Sequence, residues 1–137
     1  MAEQGKIAFE LVSPEKLVAA EDVEMVLVPG ALGDMGVLAR HAPMIVALRP
    51  GRLGVCRQGR QPEESYFVAG GFAEVTGARC TVLAEDPISL DSLDRAKVEH
   101  ELKNAREDLA DAKAEAETQA ANHAIKIADA KLRALGR

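Results

Sequence analysis

Aromatic side chains are scarce in this chain of 137 residues: there is no Trp, one Tyr and three Phe. Stacking platforms for single-stranded nucleic acid are therefore excluded, and any core must be built from Val, Leu, Ile and Ala. Basic charge is also short, with 17 Lys and Arg against 22 Asp and Glu and a formal net charge of −5. No positive field exists to hold a polyanion or an anionic membrane surface. Two cysteines, Cys56 and Cys80, are too few for a disulfide framework or a structural zinc site, which fits a reduced, cytosol-facing compartment. The opening MAEQGKIAFELVSPEK lacks the apolar run of a signal peptide, and no later segment approaches the ~18 apolar residues of a membrane span. What the sequence does have is apolar residues in quantity, 47% of the total. That suffices for the core of one domain, or of a small domain with an appendage.

Proline and glycine are missing from one end only. No proline follows Pro87, and a single glycine, Gly136, lies beyond it. Both residues punctuate turns and break helices, so residues 1–87 are expected to be short strands joined by turns and residues 88–137 a helical region. Alternation in the first part gives about nine strands, from KIAFELVS (roughly 6–13) through VEMVLVPG, stopped at Pro29-Gly30, to CTVLAED. Strands at such short, regular spacing predict an antiparallel β-sandwich or barrel. The run Glu24-Met25-Val26-Leu27-Val28 is apolar on both faces, as a central strand would be, whereas Glu74, Thr76 and Arg79 mark strands with one wet face. The fold class expected is α+β, sandwich first and helices last.

From Asp91 onward the sequence is rich in Ala, Glu, Lys, Leu and Arg. Ser89 and Asp91 are the candidate N-caps. Val98, Leu102, Ala105, Leu109, Ala112 and Ala116 recur at alternating steps of four and three, a narrow seam. A second stripe, Ala121, Ile125, Ala128, Leu132 and Leu135, is out of step with the first, and the break falls near 117–122. Two helices folded as a hairpin would bring the stripes face to face. Such a thin, Ala-rich seam buries little surface, at roughly 25 cal/mol per Å², and holds the pair only modestly. A pair so lightly held is expected to be able to open.

Chemistry-bearing constellations are sparse. The Gly-rich stretch from Pro29 to Gly36 lacks the Gly-Lys-Ser/Thr of a phosphate loop, places the acid Asp34 among strands, and does not match the dinucleotide spacing. His41, in Arg40-His41-Ala42-Pro43, reads as a turn histidine making local hydrogen bonds; an acid/base pair with Asp34 would lack a third, orienting group. His100 and His123 are too far apart in sequence for an i, i+4 metal pair and take surface positions. Cys56 and Cys80 fall inside apolar strand patterns and read as small buried hydrophobes. No catalytic or metal-ligand grouping stands out, and none is expected.

The ordered string Val28-Pro29-Gly30-Ala31-Leu32-Gly33-Asp34-Met35-Gly36-Val37-Leu38, followed by Arg40-His41-Ala42-Pro43-Met44, resembles the signature of the epsilon subunits of F-type ATP synthases (delta in mitochondria). Phe67-Val68-Ala69-Gly70-Gly71-Phe72 and Val82-Leu83-Ala84-Glu85 resemble further family segments, so the likeness spans essentially the whole sequence. It implies a flattened ten-stranded sandwich followed by a helical hairpin, in a central-stalk rotor subunit that performs no catalysis itself. The sandwich would pack on the gamma subunit and on the ring of c subunits, coupling ring rotation to ATP synthesis in the catalytic head. Gly33 and Asp34 would face the polar loops of the c-ring, Asp34 as a projecting carboxylate, with His41, Ala42 and Pro43 close to that surface. The resemblance also implies a peripheral place on the cytoplasmic side of the cell (inner) membrane, reached through partners, and a helical tail that extends toward the alpha and beta subunits and inhibits ATP hydrolysis.

Some members of that family bind ATP through a pattern like [IL]-D-x-x-R-A. Here Leu90-Asp91-Ser92-Leu93-Asp94-Arg95-Ala96 carries one residue too many between Asp91 and Arg95. On a helix that insertion turns Arg95 by ~100° and adds the charge of Asp94. The expectation is no cofactor, with ATP as a regulatory ligand resting on Asp91 and Arg95 alone. Two other readings stay open from the residues themselves. One is a free-standing regulatory module that binds a small ligand and signals through its helices; the other is an enzyme built on Asp34 and His41.

Overall fold

A computed structural model describes residues 5–136. Ten strands come first: β1 (Ile7–Val12), β2 (Leu17–Val23), β3 (Met25–Gly30), β4 (Gly33–Leu38), β5 (Met44–Leu48), β6 (Gly51–Cys56), β7 (Glu64–Val68), β8 (Gly71–Val75), β9 (Arg79–Leu83) and β10 (Ile88–Ser89). A 3₁₀ turn over Leu90–Ser92 leads into two helices, α1 (Arg95–Asp111) and α2 (Glu115–Leu135). The strands pair in the order β10-β7-β6-β3-β5-β8-β9-β1-β2, with β4 on the remaining edge of β3. β3 and β5 meet only at Gly30 and Leu48, so the sheet divides there into two five-stranded leaves. Between the leaves lies one core, in which Phe9, Leu11, Val26, Val28, Leu53, Val55, Val68, Val75 and Val82 are almost fully buried.

The α+β class and the strand-rich first part follow the alternation. In β3 every residue but Leu27 is buried, as the two-faced apolar run requires. In β1 the odd residues Ile7, Phe9 and Leu11 are buried and their neighbours half-buried, a period of two with one outward face. One pairing departs from the antiparallel expectation: β1 and β9 run parallel, Ala8 beside Arg79 through Val12 beside Leu83. The long stretch of sequence between these strands allows a crossover that no local pattern announces. The last strand, β10, pairs with β7 through Ile88↔Phe67 and Ser89↔Tyr66, so sheet pairing runs past residue 87 to Ser89.

Two expectations about the helices are corrected. The N-cap of α1 is Asp94, whose Oδ1 accepts the Ala96 N–H at 2.9 Å, rather than Ser89 or Asp91. Leu93 is extended, so the backbone enters the helix only after it. The turn between helices falls at 112–114, ahead of 117–122. Ala112 and Ala116 continued the first stripe in sequence, but neither is buried, and the seam of α1 consists of Val98, Leu102 and Ala105. With nothing apolar to bury beyond Leu109, α1 gains nothing from running further.

α2 carries two apolar faces. Ala128, with Ile125, Leu132 and Leu135, packs on Val98 and Leu102 of α1. Ala130 and Ala134, with Ile127, pack on Phe67 and Ala69 of the sandwich and on Leu90 and Leu93 of the link before α1. Lys131 sits between these faces: its Nζ lies 3.4 Å from Glu101 of α1 and 5.8 Å from the Phe67 ring centre of β7. One largely covered side chain therefore ties both helices to the sandwich.

Gly71 holds the corner where β7 turns into β8, against the end of β9. Its φ of +123° is unfavourable for any L side chain, and a Cβ added there would overlap the Leu83 carbonyl oxygen. Gly71→Ala is expected to lower the stability of the sandwich by about 2 kcal/mol or more, seen as a reduced midpoint in denaturant titration followed by circular dichroism.

Candidate functional site

β3 and β4 form a hairpin whose two-residue loop is Ala31 and Leu32, with Gly30 opposite Gly33. Gly33 takes φ +144°, which only glycine adopts freely, and Leu32 at the tip is fully exposed. Arg49 fastens this hairpin to the start of β6. Its Nη1 donates to the Gly30 carbonyl at 2.7 Å, its backbone N–H donates to the Pro29 carbonyl at 3.0 Å, and Nη2 pairs with the Asp34 carboxylate. Asp34 is thus held within the fold, half-exposed, and is not the freely projecting carboxylate expected from sequence.

His41, Ala42 and Pro43 occupy the other end of β4. His41 Nδ1–H donates to the Ala42 carbonyl at 2.9 Å, and its backbone N–H donates to the Leu38 carbonyl at 3.1 Å, the local bonds expected of a turn histidine. Arg40, in the left-handed region at φ 69°, donates its N–H to the Gly77 carbonyl at 2.7 Å and anchors this corner to the turn after β8. The length of β4, about 17 Å for six residues, separates the two groups. Asp34 and His41 cannot act as an acid/base pair, because the hairpin tip and the His41 corner lie at opposite ends of β4. Among the described residues no group of His, Cys, Asp and Glu could hold a metal ion.

Asp91 and Arg95, the residues tied by resemblance to ATP, do not share a helix. Asp91 lies in the 3₁₀ turn and Arg95 is the first residue of α1, both exposed, with Leu93 extended between them. The helical offset expected from the extra residue therefore does not apply to this pair.

Alternation, read for its failures, would have found a surface that the motifs did not. Phe72 is in phase with outward Glu74, and Leu83 with outward Thr81, so both are forced onto the wet face. Phe72 is 55% exposed and Leu83 49%. Strand register places Ala47, Phe72, Leu83, Val12 and Leu17 side by side across β5, β8, β9, β1 and β2. This apolar row crosses one leaf at the end that also carries the Ala31–Leu32 turn. In the next row only Ile45, 71% exposed, and Ala20 are apolar; Glu74, Thr81 and Glu10 lie between them, Thr81 Oγ1 donating to Glu10 at 3.2 Å. The face grades from apolar at the hairpin-tip end to charged at the His41 end. An apolar strip bordered by charge is the signature of a protein contact.

The opposite edge is closed by Arg57, whose Nη2 donates to Glu21 of β2 at 3.0 Å and to Glu64 of β7 at 2.8 Å. Its hydrogen bond to Glu21, above all, holds the guanidinium still more firmly protonated than usual. Burial raises the Tyr66 hydroxyl beside it. Both cysteines are buried, as their strand patterns predicted. Burial pushes the Cys80 thiol up to about 12 and raises that of Cys56.

A strand sandwich with an exposed apolar row and a lightly docked helical hairpin defines a docking module. Comparison with known proteins specifies it further. Residues 6–89 match the family of the beta-sandwich domain of the ATP synthase delta/epsilon chain, and residues 94–137 match the family of the C-terminal domain of the ATP synthase epsilon chain. The ATP synthase epsilon chain of Rhodospirillum centenum is 49% identical over 93% of this protein and 90% of its own length. That of Rhodospirillum rubrum is 48% identical over 92% and 93%. A subunit of the Euglena gracilis mitochondrial ATP synthase, in an OSCP/F1/c-ring assembly, superimposes with TM-score 0.85 at 26% identity, covering 96% of this protein and 82% of that subunit. A subunit of the Tetrahymena thermophila mitochondrial ATP synthase, in a central stalk and c-ring assembly, gives 0.65 at 15% identity and shares the fold. The protein belongs to the ATP synthase epsilon chain family.

Because only the thiolate reacts with alkylating agents, neither native cysteine is expected to react at pH 8 in the folded protein. Both should react within minutes in denaturant, as counted by mass spectrometry.

Proposed function

We propose that this family member is a non-catalytic rotor subunit of an F-type ATP synthase, which couples rotation of the c-ring to ATP synthesis in the catalytic head. The exposed apolar row Ala47–Phe72–Leu83–Val12–Leu17 carries the reading. A side of this kind, on a leaf whose other side is a fully packed core, is suited to rest on a second protein, the gamma subunit of the stalk. The Ala31–Leu32 tip, with Gly33 and Asp34 beside it, meets the polar loops of the c-ring. A stiff sandwich suits transmission of torque, since close-packed interiors deform little under load. The Gly30–Arg49–Asp34 bonds brace the very hairpin that bears on the ring.

No described helix is long and apolar enough to cross a membrane. Attachment to the cytoplasmic side of the cell (inner) membrane then goes through the ring. The helical hairpin supplies a second role: released from Phe67 and Leu90, it extends toward the alpha and beta subunits and slows ATP hydrolysis. The composition of the α2–sandwich contact supports this: α2 sets Ala130, Ala134 and Ile127 against Phe67, Ala69, Leu90 and Leu93, a cluster separate from the main core of the sandwich. No cofactor enters the reading; ATP as a regulatory ligand is tied to Asp91 and Arg95 by resemblance alone. The free-standing ligand-binding module has no comparable observation in its favour.

Phe72→Glu is expected to leave the isolated protein folded and to weaken its association with the ATPase by about tenfold or more, the loss of one central apolar contact. Competition pull-down against tagged wild-type protein measures it, and undiminished assembly would overturn the docking face. Asp34→Arg should lower ATP synthesis per proton in reconstituted vesicles, with unchanged circular dichroism. An unchanged ratio would remove the hairpin tip from the ring contact.

A further inference from the structure

A cleft of about 640 Å³ opens between the end of the sandwich and α2. That size lies within the range of ligand clefts, about 300–1,000 Å³. Strand ends form its floor and one side, including Ser13, Phe72, Leu83 and Glu85; His123 of α2 closes another side. Two observations define what it takes. Phe72 and Leu83 belong at once to this cleft and to the apolar row, so the cleft continues the docking face inward. The Glu85 carboxylate at the rim is exposed and has no ion-pair partner among the described residues. The lining thus offers apolar walls and one uncompensated negative charge, which fits a side chain with a long apolar stem and a basic tip, an arginine or lysine.

We propose that the stalk partner seated on the apolar face inserts such an anchor side chain into this cleft, and that its insertion favours the docked position of the helical hairpin. The inference rests on the reading of the face as the stalk contact. The coupling follows from the walls: without α2 in place the His123 side of the cleft is missing and the anchor loses that wall. By reciprocity, whatever α2 adds to anchor binding, the anchor adds to α2 docking. The protein that receives the torque then also biases the helical hairpin toward its parked state, and loosening of the stalk contact frees it.

Single-cysteine reporters test this in the assembled ATP synthase, because Cys56 and Cys80 are buried and contribute no background. Ile45→Cys reports the face; Ser13→Cys and His123→Cys report the two sides of the cleft. Alkylation by a small maleimide is timed for each in the isolated protein and in the purified complex. All three should slow at least tenfold in the complex. Slowing at Ile45→Cys with unchanged rates at the other two would mean an empty cleft and would overturn the anchor while leaving the docking face intact. Slowing at Ser13→Cys but not at His123→Cys would overturn the coupling to α2. Unchanged rates at all three would remove the docking face itself. As a second measurement that needs no new thiol, Glu85→Gln should weaken assembly several-fold more at low salt than at high salt. Equal loss at both ionic strengths would rule out a basic tip.

Discussion

The position of α2 is the constraint on which the molecule's outward chemistry depends. Its buried residues are alanines on both sides: Ala128 faces α1 among Ile125, Leu132 and Leu135, while Ala130 and Ala134 face the sandwich beside Ile127. Small side chains let backbones approach closely, yet each removes little surface from water. One long polar side chain, Lys131, bridges the three bodies between Glu101 and the Phe67 ring. The sandwich has a continuous core of its own and does not need the helices to bury it. Two units of unequal firmness share one polypeptide, and the cleft at Ser13, Glu85 and His123 exists where they meet.

Much of this architecture could be read from residue order. The absence of proline after Pro87 separated strands from helices, and the two-faced apolar run in β3 marked the central strand. Less legible were features set by distant parts of the sequence. The parallel register of β1 with β9 depends on a long crossover, which period-two alternation within either strand cannot report. The interhelical turn was displaced because Ala112 and Ala116 kept the helical phase in sequence while burying nothing in space. The cap moved from Asp91 to Asp94 because a 3₁₀ turn and an extended Leu93 intervene, and acids at both positions look alike to a propensity argument.

The functional surface shows the same division. The Gly33-Asp34 motif was visible, but its partner Arg49 lies fifteen residues away and only the fold brings it there. The His41 corner, adjacent in sequence, proved remote in space because a whole strand intervenes. The apolar row was encoded more subtly, in residues whose hydrophobicity breaks the phase of their own strands. Phe72 and Leu83 each look ordinary alone; across five strands in register they line up with Ala47, Val12 and Leu17.

The pairing of β1 with β9 carries a consequence for biosynthesis. The N-terminal strand can form its hairpin with β2 as soon as both leave the ribosome, but its other edge waits until Leu83 has been made. Until then that edge offers unpaired N–H and C=O groups to any neighbouring nascent polypeptide. Closure of the second leaf is therefore a late, long-range event of the kind that slows folding. β10 and the helical segment follow Leu83 in the chain, so the second leaf can close before the movable part has emerged.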